Sequence, residues 1–157
     1  MRRILTLLGT TALFLALAQS ASAGSGVGDV RFFRTAAKDT YCTANFFPGS
    51  SPAAVSCSSR VPLLRPTPKG PPRQCIGDPG NALLVNHRGR ARGMCLSQSP
   101  FAGPSGRNYV GFHVLAYGKT MAFHGIHCHA VSPKLGIRCV NAVGHGFRMG
   151  GGTWRLF

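Results

Sequence analysis

The chain has 157 residues and a formal net charge of +15, from 18 Lys and Arg against 3 Asp and Glu. Its length suits one domain, so a second domain is not expected. The only carboxylate side chains, Asp29, Asp39 and Asp78, are too scattered to supply the carboxylate pair that glycosidase-type catalysis needs.

The excess of cations is the most unusual feature of the composition. There is no Glu, and 14 of the 18 cations are Arg. A chain that cannot neutralise itself internally is expected to bind polyanions: anionic polysaccharide, nucleic acid or an anionic lipid surface. The alternative is that the charges are spread over a solvated surface with no specific ligand.

Residues 1–23 have the pattern of a secretory signal peptide. A short positive head precedes an uncharged run rich in Leu, Ala and Phe, and Ala21-Ser22-Ala23 supplies the small residues that signal peptidase accepts. A membrane anchor would need about 20 apolar residues, and polar residues end this run early. We therefore predict a single exported domain at residues 24–157, secreted or periplasmic, without a transmembrane segment and with a charge of +13.

Six cysteines lie in the exported part, and an even number in an oxidising compartment indicates a disulfide framework. Among 15 possible connectivities, the simplest is sequential: Cys42–Cys57, Cys75–Cys95 and Cys128–Cys139. Loops of this size stabilise by about 3 kcal/mol each. A zinc site would need paired C-x2-C knuckles, which the sequence lacks.

Extended segments dominate the chain, because aromatic and β-branched runs alternate with Pro and Gly turns and no segment has a sustained helical period. Strands are predicted at residues 29–34, 39–46, 53–57, 81–86, 93–96, 109–115, 121–130, 137–147 and 154–157. The proline-rich residues 62–72 form an extended connector, or else a polyproline-type recognition segment. The fold is predicted to be mainly β, a small disulfide-stapled sandwich or barrel of antiparallel strands.

The last third of the chain is predicted to form a hairpin from residues 121–130 and 137–147. Cys128 and Cys139 would face each other across it, because opposed residues on antiparallel strands lie about 5.5 Å apart at Cα. The apolar pattern of the first run shifts phase at Gly125, which we interpret as a β-bulge.

Three arginines on one Gly-containing turn, Arg88, Arg90 and Arg92, form the densest positive cluster in the sequence. Guanidinium groups at a hairpin tip suit phosphate or sulfate, so this turn is the predicted polyanion site. The alternative is a soluble turn without a ligand.

Histidines supply the other candidate chemistry. The predicted bulge would place His124, His127 and His129 on one outer face, as weak candidates for zinc or copper, but no carboxylate is near to orient them, and no cofactor is predicted. A metal-independent nuclease could use two histidines as acid and base with a cation to steady the phosphorane. The candidates for that chemistry are His113, His124, His127, His129 and Lys119.

Several motifs resemble those of an uncharacterised family of small exported bacterial domains. They are Phe33-Arg-Thr, Tyr41-Cys42, Leu115-Ala-Tyr-Gly-Lys119 and the closing Gly136-Ile-Arg-Cys-Val-Asn141 with Gly144-His-Gly-Phe147. The chain departs from the family pattern at residues 35–38 and at Ala116, where the family has Pro-Ser-Gly-Asn and Pro. The resemblance implies an exported single domain with paired cysteines, and it implies no activity.

His145 in the closing motif has glycines on both sides, which permit a tight turn and leave Phe147 to enter the core. The interpretation of His145 as a buried, hydrogen-bonded structural residue is favoured over a catalytic one.

Together these features predict a basic, disulfide-stapled domain that binds anionic surfaces or polymers without catalysis. The alternatives are a histidine-based, metal-independent nuclease-type hydrolase and a structural protein of the cell envelope.

Overall fold

The computed structural model describes residues 28–65, 79–95 and 111–157. Within these residues the chain forms eleven strands and no helix. The strands are β1 (Asp29–Thr35), β2 (Thr40–Phe47), β3 (Ser51–Ser59), β4 (Pro79–Asn86), β5 (Arg92–Cys95), β6 (His113–Leu115), β7 (Thr120–Phe123), β8 (Ile126–Ser132), β9 (Gly136–Asn141), β10 (Gly146–Gly150) and β11 (Thr153–Leu156).

The strands form two sheets that pack face to face as a sandwich. The first sheet has the order β5-β4-β3-β2-β1-β6, and the second has the order β11-β10-β9-β8-β7. All neighbours are antiparallel except β1 and β6, which are parallel, and β5 and β6 lie at opposite edges of the first sheet. The predicted mainly β, antiparallel and disulfide-stapled fold is confirmed, and of the two architectures predicted it is the sandwich.

The core lies between the sheets and follows the two-residue period of the strands. Its largest fully buried side chains come from both sheets: Phe33, Val55, Leu83 and Val85 from the first, and Phe123, Ile126, Ile137, Phe147 and Met149 from the second. The side chains that alternate with them in the second sheet are therefore on its outer face, away from the core.

Two of the predicted disulfides are present, one at the centre of each sheet. Cys42–Cys57 joins β2 to β3 and Cys128–Cys139 joins β8 to β9, each between directly opposed residues. Their Cα separations of 4.1 and 4.0 Å are closer to the roughly 4.5 Å of non-hydrogen-bonded pairs than to the 5.5 Å expected. All four cysteines are fully buried in the core.

Several predictions fall outside the described residues. They are the signal peptide at residues 1–23, Cys75 with its bridge to Cys95, and most of the proline-rich connector. The described residues contain no helix that is long and apolar enough to cross a membrane.

The β-bulge predicted at Gly125 is wrong, because a two-residue turn at this point separates β7 from β8. His124 and Gly125 have φ angles of +43° and +82°, and Phe123 pairs directly with Ile126. Positive φ at both central residues is the requirement of a type I′ hairpin. A bulge and such a hairpin both shift the apolar pattern by one residue, so the pattern alone did not distinguish them.

The predicted run 137–147 is likewise two strands, β9 and β10, joined by a tight turn around His145. Phe147 enters the core as predicted. The imidazole of His145 is only half-buried, and the hydrogen bonds of this residue to described residues are made by its backbone: the N–H donates to Asn141 Oδ1 at 2.9 Å and the carbonyl oxygen accepts from the N–H of Asn141 at 2.9 Å.

Candidate anion-binding face

The three arginines predicted to form one patch point in different directions. Arg92 lies opposite Leu84, which alternates with the core residue Leu83, so Arg92 is on the outer face of the first sheet. Arg90 instead borders a concavity beside the second sheet. Arg88 is exposed in the turn between β4 and β5. Their shared role in polyanion binding stays a prediction.

A different set of arginines is brought together on the outer face of the second sheet. Arg148 on β10 lies directly opposite Arg138 on β9 and directly opposite Arg155 on β11. We call these three residues the arginine row. Neighbouring strands are about 4.8 Å apart, so the row spans roughly 10 Å across three strands.

The arginine row continues into two polar residues on the neighbouring strands. His129 on β8 lies opposite Arg138, and its Nδ1 is 3.1 Å from Oγ1 of Thr120 on β7. His127 lies two residues earlier on β8 and is exposed on the same face. Together with the arginine row, His129 and Thr120 give five polar positions that are aligned across the outer face of this sheet, and three of the five are cationic.

No carboxylate neutralises the arginine row within the described part of the chain. Arg138, Arg148 and Arg155 have neither an ion pair nor a side-chain hydrogen bond with any described residue. Asp29 pairs with Arg31, and Asp39 accepts a 2.5 Å hydrogen bond from Thr35 Oγ1. Like charges that face each other across strands are destabilising, so this arrangement favours an external anion.

An aromatic ring lies against the row. The guanidinium carbon of Arg138 is 4.7 Å from the centroid of the Phe157 ring, and Phe157 remains 37% exposed. Gly146 leaves room for this ring and for the neighbouring strand, because a Cβ at that position would clash with the carbonyl oxygen of Cys139 and come within 2.9 Å of the ring. Phe157 and the three arginines line an open concavity of about 330 Å³.

A second concavity, of about 380 Å³, lies next to the first and shares Phe157 with it. Its lining combines two polar side chains, Arg90 and His145, with the apolar Ala91 and Leu156. Cations therefore border Phe157 in both concavities.

Asn141 fixes the relative position of the two loops that border the second concavity. Its Nδ2 donates to the carbonyl oxygens of Asn86 and Gly89 at 2.9 and 2.8 Å, and its Oδ1 accepts from the backbone N–H groups of Val143 and His145 at 3.2 and 2.9 Å. One buried amide thus joins the β4–β5 turn of the first sheet to the β9–β10 turn of the second.

The histidines predicted as one cluster are separated by the fold. His124 lies in the β7–β8 turn, where its Nε2 is 3.2 Å from Asp29 Oδ2 and its ring lies 4.3 Å from that of Phe46. His113 is on β6 of the first sheet, whereas His127 and His129 share the outer face of the second. Among the described residues, no three His, Cys, Asp or Glu side chains are close enough to hold a metal ion. Lys119 is exposed in the loop before β7.

Asp29, Arg31 and His124 form a contact between the two sheets. Arg31 donates to both carboxylate oxygens of Asp29, at 3.2 and 2.9 Å, and its guanidinium carbon is 5.3 Å from the ring centroid of Phe123. The hydrogen bonds from Arg31 hold the pKa of Asp29 below its ordinary value; desolvation opposes this effect, and His124 lowers the pKa further. This contact uses one of the few carboxylates for structure, at β1 and the β7–β8 turn, whereas the arginine row lies on β9, β10 and β11.

The fold and this face define a disulfide-bridged β-sandwich with an arginine-lined outer sheet. The chain belongs to a family of unknown function, DUF6636, whose model matches residues 10–157. The resemblance to an uncharacterised family is confirmed at that level. The chain matches no curated protein and no solved structure.

Proposed function

We propose that this protein is an exported, non-catalytic domain that binds anionic polymers through the outer face of its second sheet. The observation that carries the proposal is the arginine row: three guanidinium groups in direct register without a carboxylate partner among the described residues. Export is supported by the two buried disulfides, which are typical of proteins from oxidising compartments.

Counterion release gives the proposal a measurable signature. Neutralising Z phosphates lowers log K with log salt at a slope of about −0.7Z for single strands and −0.9Z for duplexes. Three arginines, or four with Arg90, give a slope between about −2 and −4. If the +13 charge of residues 24–157 were spread evenly over the surface and bound anions without a preferred face, removing three cations from one face would change the salt slope no more than removing three from another.

The test compares two variants with the same change in net charge. The row variant carries Arg138→Gln, Arg148→Gln and Arg155→Gln. The control variant carries Lys38→Gln, Arg88→Gln and Arg92→Gln, three exposed cations that line neither concavity around Phe157. Retention on heparin under a salt gradient and the salt slope of heparin binding are measured for both.

We expect the row variant to elute early and to lose most of the salt slope, while the control variant behaves like the wild type. We also expect the row variant to be at least as resistant to unfolding as the wild type, because the substitutions remove opposed like charges. Equal losses in both variants would refute the assignment to the row, and a loss confined to the control variant would favour the arginine turn instead.

A second candidate function is metal-independent cleavage of RNA by His127 and His129. The observation that favours it is their position on the same face as the row, with His129 opposite Arg138. One imidazole would act as base and the other as acid, with the arginines stabilising the phosphorane charge. Labelled RNA incubated with the protein under chelator tests this, and RNA left intact by the wild type excludes it. The variant His127→Gln, His129→Gln should abolish any cleavage that is seen.

A further inference from the structure

We propose that the anionic polymer is single-stranded nucleic acid, and that one base stacks on Phe157, on the ring face that Arg138 does not cover. This inference rests on the proposed function, since it names the ligand of the same face. It is carried by the position of one exposed aromatic ring between two cation-lined concavities.

The first step is the shape of the surface around the ring. Phe157 lines both concavities, with the arginine row in one and Arg90 and His145 in the other. A ligand that covers the ring therefore meets cationic side chains on two sides. In a nucleic-acid strand each base lies between two phosphates, so the strand matches this order of charge, planar group and charge.

The second step is the apolar part of the lining. Ala91 and Leu156 border the second concavity together with the ring. Sulfate and carboxylate groups of a polysaccharide satisfy the arginines but supply no planar aromatic group for such a surface. A nucleobase has two apolar faces, and base–aromatic stacking is tolerant of sequence because every base has a π-face.

The third step is strandedness and length. In a duplex the bases are paired and stacked inside the helix, where Phe157 cannot reach their faces without disrupting the duplex. The row spans roughly 10 Å, so only a few consecutive phosphates of one strand can contact it. The face thus suits a short stretch of unpaired strand.

The experiment measures binding of labelled oligo-dT, of a duplex of the same length and of heparin to the oxidised protein. Phe157→Leu keeps an apolar side chain but removes the π-face, and Phe157→Trp restores one. Phe47→Leu is the matched control, because Phe47 is 42% exposed and lies on the first sheet. Each protein is first checked for wild-type thermal unfolding.

We expect Phe157→Leu to weaken oligo-dT binding by at least about 5-fold, the lower end of the roughly 5- to 150-fold loss that alanine substitution of a stacking aromatic causes. Its salt slope and its affinity for heparin should stay unchanged, because no cation is removed. Phe157→Trp should bind oligo-dT at least as tightly as the wild type, and Phe47→Leu should bind like it.

Two outcomes overturn the inference while the proposed function survives: heparin and oligo-dT bind with the expected salt slope but Phe157→Leu changes neither, or the duplex binds as tightly as oligo-dT. Absence of salt-dependent binding to any of the three probes refutes both proposals together. If Phe157→Leu does not fold, the affinities of the wild-type protein for oligo-dT and for the duplex still test the inference, because a duplex that binds as tightly as oligo-dT overturns it.

Discussion

Replacing Asn141 tests whether one amide holds the two loops of the second concavity together. Its side chain makes four hydrogen bonds, and the residue is only 4% exposed. At about 1 kcal/mol for each net hydrogen bond, Asn141→Ala should lower the free energy of unfolding by roughly 4 kcal/mol. This is a large share of the 5–15 kcal/mol that is usual for a domain.

Urea unfolding, followed by the fluorescence of the single tryptophan, Trp154, measures this loss. With an m-value of about 2 kcal/mol/M, the urea midpoint should fall by about 2 M. Asn45→Ala is the control, because Asn45 is half-buried on β2 and its side chain has no hydrogen bond to a described residue. That substitution should change the free energy of unfolding by no more than about 0.5 kcal/mol.

Asn141→Asp tests the two hydrogen bonds that the amide donates separately from the two that it accepts. The carboxylate keeps the two accepted bonds but places an oxygen where Nδ2 faces two carbonyl oxygens, so ionisation is disfavoured in the folded protein. The folded-state pKa of this carboxyl should therefore be raised, and the deficit in stability should grow as the pH rises above about 4. A wild-type urea midpoint for Asn141→Ala, or a stable Asn141→Asp at neutral pH, would show that other contacts hold the turns.

Four further variants test the framework. Joint replacement of Cys128 and Cys139 by Ala should lower the free energy of unfolding by about 3 kcal/mol or more, and an unchanged melting temperature would contradict the bridge. Asp29→Asn should destabilise the protein at neutral pH, because Arg31 and His124 favour the ionised carboxylate in the folded protein. The difference in urea midpoint should shrink as the pH falls from about 4 through the lowered pKa of the native carboxyl. Gly125→Ala should lower the free energy of unfolding by about 1–2 kcal/mol, because of the positive φ alone. Gly136→Ala should prevent folding, since its Cβ would lie 2.1 Å from a backbone oxygen of β10. Equal thermal stabilities for the two variants would refute this distinction.

The strands and the two observed disulfides were predictable from the sequence because they depend on local signals. Period-two patterns and Pro or Gly turns locate the strands, and cysteines on neighbouring strands find each other across a short turn. The hairpin turn at His124-Gly125 was missed because it lacks the Asn-Gly or Asp-Gly pair that usually marks such turns. The parallel pairing of β1 with β6 depends on contacts far apart in sequence, which no local pattern encodes.

The arginine row was not predictable in the same way. Arg138, Arg148 and Arg155 are far apart in the chain, and their alignment depends on the exact lengths of the two turns that join β9, β10 and β11. One residue more in either turn would move an arginine out of the row. Arg88, Arg90 and Arg92 were conspicuous because they are close in sequence, but the fold separates two of them: Arg90 lies in the β4–β5 turn beside the second concavity, whereas Arg92 lies on β5, on the outer face of the first sheet.

The burial of both disulfides has a consequence for how the protein is made. Each bridge lies in the middle of its sheet and faces the opposing sheet, with no sulfur accessible to solvent. Oxidants and disulfide exchange catalysts must reach a thiol to act on it. Oxidation must therefore come before the two sheets close on each other, and a chain that closes while still reduced has to reopen before it can be bridged. For recombinant production, an oxidant that is present before collapse should therefore give more bridged protein than the same oxidant added afterwards.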